Sequence, residues 1–148
     1  MADETAIATR PRPDASSEVS SRVVVFVCTA CGKTEGTGDE HGRKSVADVI
    51  GDGLRDAGIT DVAVRNVECL AVCKRPATMA ITAPDSWTYI LGDLDADADP
   101  QGIVDTVLAY RRSANGIVPW AERPAVFRKG VIARVPPQSF VQPERKSA

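Results

Sequence analysis

The chain is poor in the residues most enzymes use. It has one histidine, His41, among 148 residues, no glycine-rich phosphate loop and no nucleophile–base signature. Aromatic residues make up 5%, too few to interleave with the basic residues near the C-terminus, so no nucleic acid is expected as a partner. A net charge of -2 points the same way and also argues against an anionic membrane. No apolar run approaches the roughly 18–20 residues needed to span a bilayer. The opening stretch MADETAIATRPRPDASSEVSSR lacks an apolar h-region and does not read as a secretory signal. Its polar Ala/Ser/Pro/Arg composition cannot bury enough surface to offset ordering, so residues 1–21 are expected to form a disordered lead. A cytoplasmic chain is expected, and there an even cysteine count suggests metal or redox chemistry more than disulfide staples.

What remains is ordinary for a globular chain, with 43% hydrophobic residues: one domain with a modest core, plus tails. The exception is the cysteines. All 4 fall in two close pairs, Cys28-Thr-Ala-Cys31 and Cys69-Leu-Ala-Val-Cys73. Thiolates bind soft or borderline metals such as zinc, copper(I) and iron–sulfur clusters. Two chelating pairs suit one tetrahedral ion or one [2Fe–2S] cluster with two thiolates per iron. The plain alternative is unrelated buried thiols, since cysteine also packs as a small hydrophobe.

Periodicity places both pairs after strands. Arg22–Val27 is a continuous apolar, β-branched run, which predicts a buried central strand ending at Cys28. Gly32–Gly42 is polar and glycine-rich, a loop that carries His41. From Val46, apolar residues recur at Val49, Ile50, Gly53, Leu54 and Ala57, one stripe of a helix with Ser45 as N-cap and Gly58 as stop. Gly51 and Gly53 weaken that helix by about 1 kcal/mol each relative to alanine, so packing must sustain it. Val62–Asn66 predicts a second strand running into the second pair. Pro76 precedes a third, Ala77–Thr82. After the turn at Pro84-Asp85-Ser86 comes a fourth, Trp87–Leu91, forming a hairpin with the third. Asp99-Pro100 opens a helix whose inner face is Ile103, Val104, Val107, Leu108 and Tyr110, closed by Asn115-Gly116. This β-α-β-β-β-α order, with a first connection long enough for a parallel crossover, predicts an α/β fold: a small mixed sheet flanked by helices. If the first two strands are parallel neighbours, both cysteine pairs lie on one sheet edge. Beyond residue 116 the chain looks irregular, with Val131–Val135 as an edge-strand candidate.

The stretch from Cys69 through Pro76 and Trp87 to Tyr89 resembles the second half of thioredoxin-like [2Fe–2S] ferredoxins, where a C-x3-C pair precedes a proline, a strand, a turn and an aromatic-bearing strand. More broadly, roughly residues 23–136 are similar to the DUF1636 family of bacterial proteins. The carrying features are the two cysteine pairs, Tyr89-Ile-Leu-Gly-Asp-Leu94, Asn115-Gly-Ile-Val-Pro-Trp-Ala-Glu-Arg-Pro124 and Arg128–Pro137. The resemblance implies a thioredoxin-like, cysteine-ligated metal protein, with some relatives encoded beside cobalamin or cobalt-handling genes. It divides the chain into the lead 1–21, a thioredoxin-like metal- or cluster-binding domain 22–116 and a proline-containing basic extension 117–148. Those ferredoxins separate their first two cysteines by a longer loop, whereas here the spacing is two.

Three readings stay open. In the first, Cys28, Cys31, Cys69 and Cys73 ligate a [2Fe–2S] cluster, and the protein is a non-enzymatic single-electron carrier serving a redox partner protein. In the second, the same cysteines hold zinc in a binding or metal-delivery module, which is redox-silent. In the third, Cys28 and Cys31 form a thioredoxin-like dithiol, with Cys28 activated by a nearby helix N-terminus. A homodimer that completes the site across two chains is compatible with each.

Several other residues have both a plain and a functional reading. His41 is a solvated loop residue or a replacement ligand. Trp87 and Tyr89 are core residues or a shield over the cluster, and Trp120 is an anchor for the C-terminal segment. The acidic run Gly92–Asp99 is a solvated loop or a docking face for a redox partner. Its Asp-x-Asp-x-Asp spacing lacks the glycine and terminal glutamate of a calcium loop.

Overall fold

A computed structural model of the chain describes residues 22–29, 45–72, 74–75 and 77–145. The lead 1–21, His41 and its loop, Cys31, Cys73 and Pro76 lie outside the described residues.

The apolar run of strand β1 (Val23–Cys28) sits second in a five-stranded mixed sheet of order β2-β1-β3-β4-β5. It pairs in parallel with β2 (Val62–Val67) and antiparallel with β3 (Met79–Thr82). Strand β3 turns back into β4 (Thr88–Leu91), and β5 (Val131–Val135) pairs antiparallel with β4 at the sheet edge. The crossover between the parallel strands carries helix α1 (Val46–Asp56), and α2 (Pro100–Arg112) follows the hairpin. The expected α/β arrangement, a small mixed sheet with helices packed on it, is what the chain adopts, and the expected order β-α-β-β-β-α is followed by a further helix and strand.

Local chemistry sets the helix ends. Ser45 accepts the Asp48 N–H at 3.1 Å while the Asp48 carboxylate accepts the Ser45 N–H at 3.2 Å, a reciprocal capping box. Asp99 caps α2 through the Gly102 N–H at 2.9 Å, with Pro100 in the first turn. Helix α2 ends at Arg112, before Asn115-Gly116, because Ser113 takes an extended conformation and its hydroxyl donates to the Tyr110 carbonyl.

One sheet face is fully buried. Val23, Val25 and Val27 alternate inward, and Val25 and Val27 align by register with Ile81 and Met79, which align in turn with Tyr89 and Leu91. Against them pack Ile50 and Leu54 of α1 and Ile103 and Val107 of α2. The helices approach closely at Gly53, where an added Cβ would overlap a Val104 methyl. That contact supplies the packing the glycine-weakened helix needs.

The segment after residue 116 is not irregular throughout. Besides the edge strand expected at 131–135, it forms a 3-10 turn (Trp120–Glu122) and helix α3 (Ala125–Gly130). It is tied in by Val118 and Phe127, 1% and 0% exposed, and the Phe127 ring meets Tyr89 edge-on at 4.9 Å. Trp120, expected to be the anchor, is 63% exposed. Its indole lies beneath the Arg123 and Arg128 guanidiniums at 5.7 and 5.5 Å, a cation–π stack on the surface.

Candidate metal centre

Parallel pairing brings Cys28 beside the segment that carries Cys69. Register aligns Cys28, the last residue of β1, with Val67, the last residue of β2. The ladder extends one step further through the Thr29 N–H, which donates to the Val67 carbonyl at 2.8 Å. Cys69 follows two residues after β2 ends, so Cys28 and Cys69 leave the sheet from the same edge, on adjacent strands. The sulfur of Cys28 donates to the Glu68 carbonyl at 3.6 Å, the residue before Cys69, although 40 positions separate them. Cys28 is 6% exposed and Cys69 is exposed. The Ala71 N–H donates to the Cys69 sulfur at 3.1 Å, the kind of amide–sulfur contact that steadies a ligating thiolate.

The loop from Glu68 to Thr78 is held on both sides. Buried Thr78 donates its hydroxyl to the Arg75 carbonyl at 2.8 Å, and its own carbonyl accepts the Cys28 N–H at 2.9 Å. Ala71 and Ala77 take left-handed φ values of 62° and 59° within this loop. Each costs about 1–2 kcal/mol for a residue with a Cβ, so the surrounding bonds must enforce them.

Cys31 and Cys73 lie outside the described residues, and among the described residues no three His, Cys, Asp or Glu side chains gather at a metal-sized site. The donor set nevertheless fits a thiolate-held metal or cluster. Each described cysteine begins a short chelating pair, and the two pairs depart from neighbouring strand ends. The helix N-terminus invoked for a reactive dithiol begins at Ser45 in the described residues, and the capping box occupies it.

The other singled-out residues fall elsewhere. Trp87 precedes β4, whose far end, Leu91, is the one aligned with Met79 and so with the cysteine edge. Four residues of strand, about 13 Å, separate them. Trp87 therefore does not shield Cys28 or Cys69; it packs against Phe140 at 5.1 Å and beneath Arg134 at 4.8 Å. Tyr89 is a core residue, 1% exposed. The acidic run is largely taken up by partners within the fold: Asp93 pairs with Arg75 at 2.7 Å, Asp95 accepts the Asp97 and Ala98 N–H groups, and Asp99 caps α2. Sequence reasoning missed Arg75, whose partners lie 18 and 54 residues away. No local pattern could reveal it.

The model of a family described as "Protein of unknown function (DUF1636)" matches residues 25–137. No curated protein matches the chain. Among solved structures, a thioredoxin-like [2Fe–2S] ferredoxin from Aquifex aeolicus is similar with a TM-score of 0.42 and 16% identity, over 80% of this chain and 97% of that one. A likeness that distant adds nothing to what the strands and cysteines themselves provide.

Proposed function

The chain belongs to the DUF1636 family, and from the cysteine-bearing edge of its sheet we propose that it is a metal protein in which Cys28, Cys31, Cys69 and Cys73 together hold one [2Fe–2S] cluster. The observation that carries this reading is the Cys28 sulfur resting on the carbonyl of Glu68, the residue before Cys69. It joins the first cysteine of one pair to the segment that begins the other. A bound cluster supplies one-electron acceptance and release. The chain's own contribution is to orient the sulfurs and limit water. Cys28 is buried at the strand end, the Ala71 N–H steadies Cys69, and the exposed side at Cys69 is where a redox partner protein would approach. Such a role needs no acid–base group, in keeping with a chain that has a single histidine. A place in cobalamin or cobalt metabolism follows from the family resemblance alone.

Anaerobic purification tests the reading. A red-brown protein with about two irons and two acid-labile sulfides per chain, lost in Cys69→Ser, is the expected outcome. A colourless protein with about one zinc per chain would reject electron transfer and leave a zinc-binding or metal-delivery module. The two-residue spacing of Cys28 and Cys31 favours that second reading. Absence of both metals, with disulfide-reductase activity abolished by Cys28→Ser, would mark a dithiol oxidoreductase.

A further inference from the structure

Arg75 lies in the loop that carries the second cysteine pair and reaches two segments remote in sequence. Its Nε donates to the Asp93 carboxylate at 2.7 Å, and its Nη2 donates to the Lys129 carbonyl at 3.2 Å. Asp93 follows the end of β4, and Lys129 lies in the last turn of α3, immediately before β5. The main chain of Arg75 is equally constrained. Its N–H donates to the Val72 carbonyl at 3.0 Å, and its carbonyl accepts the hydroxyl of buried Thr78. A Cβ at Gly92 would lie 3.0 Å from both the Arg75 Cβ and its carbonyl oxygen, so Arg75 sits directly on the backbone there. The Gly92 N–H in turn donates to the Gly130 carbonyl at 2.8 Å. Asp93 adopts a φ of 56°, a left-handed conformation that closes the contact.

A guanidinium offers donors in a rigid planar fork, so one side chain can tie two acceptors at a set angle. We infer that Arg75, clamped between Asp93 and the Lys129 carbonyl, is a positioning residue for Cys69 and its loop, and that the α3–β5 segment is thereby part of the metal-holding apparatus. This rests on the metal reading above. Partners that orient ligands from behind typically change metal affinity by 10–100-fold when removed. An exposed ion pair by itself adds little to global stability. The two effects can therefore be separated.

The test uses cobalt(II) as a probe on the reduced, metal-stripped full chain, following sulfur-to-cobalt absorption against a competing chelator. Hydrogen exchange at the Ala71, Arg75 and Leu94 amides is followed in parallel without metal. Arg75→Gln and Asp93→Asn are expected to weaken cobalt(II) binding about 10–100-fold and to speed exchange at these amides, with the urea midpoint nearly unmoved. Arg75→Lys, which keeps the charge but loses the fork, should fall between. Variants that bind cobalt(II) as tightly as the unaltered chain would overturn the positioning role alone. An unaltered chain showing no sulfur-to-cobalt absorption would overturn the metal reading, and this proposal with it.

Discussion

At one end of the sheet the chain passes through loops in which Ala71, Ala77 and Asp93 take φ values between 56° and 62°, held by Thr78, Arg75 and the Lys129 carbonyl. At the other end the ties are aromatic. The Tyr110 hydroxyl donates to the Trp87 carbonyl at 2.5 Å, and Trp87 stacks edge-on with Phe140. There the left-handed positions are Asp85, at φ 51°, and Gly116, at φ 86°, which lies so close that a Cβ would sit 2.6 Å from the Trp87 backbone. The Trp87 end meets its backbone demand with a glycine and an aspartate, the kinds of residue that visit this region most readily. The cysteine end uses, besides an aspartate, two alanines, which visit it at a cost. Strained residues persist only where neighbours over-determine them, and such places are often ligand sites.

The largest test of this contrast concerns the C-terminal segment. Phe127→Ala removes a fully buried ring from against Tyr89 and should cost about 3–5 kcal/mol in urea unfolding. A cost below about 1 kcal/mol would mean that the segment is an appendage and not part of the core.

Alkaline pH probes the aromatic end. Burial, with the neighbouring Tyr89 adding to it, raises the Tyr110 hydroxyl from 10.0 to about 12. In the unfolded chain the phenol ionises near its ordinary value, while the folded chain holds the proton longer. The stability it contributes is therefore complete below pH 10 and lost as pH rises through about 12. The loss should reach about 2 kcal/mol, and Tyr110→Phe should lose less over the same interval. Equal slopes in the two proteins would place the alkaline transition elsewhere.

At the cysteine end the expected change is smaller and of opposite sign. Ala77→Gly relieves a left-handed alanine, worth about 1–2 kcal/mol, against about 0.4–1 kcal/mol of added freedom in the unfolded chain. The metal-free protein should gain roughly 0.5 kcal/mol, seen as a higher urea midpoint. A lower midpoint would show that the half-buried Ala77 methyl packs more usefully than its backbone strains.

Much of the fold was legible because it is written in local signals. Ser45 and Asp99-Pro100 mark the helix starts through their own side chains, and the β-branched runs of β1 and β2 stop just where the cysteine loops begin. Helix α3 was not legible, because a six-residue helix is too short to display a repeating apolar stripe. Trp120 departs from expectation because a large aromatic suggests burial, whereas the neighbouring arginines stack on its ring at the surface.

By itself the sequence determined which thiols exist, how closely each pair is spaced and that each pair follows a strand, since these are properties of neighbouring residues. Only the tertiary structure decided that β1 and β2 lie parallel and adjacent, so that Cys28 reaches the loop of Cys69. It alone showed that Arg75 closes on Asp93 and Lys129 from distant parts of the chain. The reason is physical: spacing and periodicity govern local conformation, while contacts between distant residues form only when the core aligns the strands.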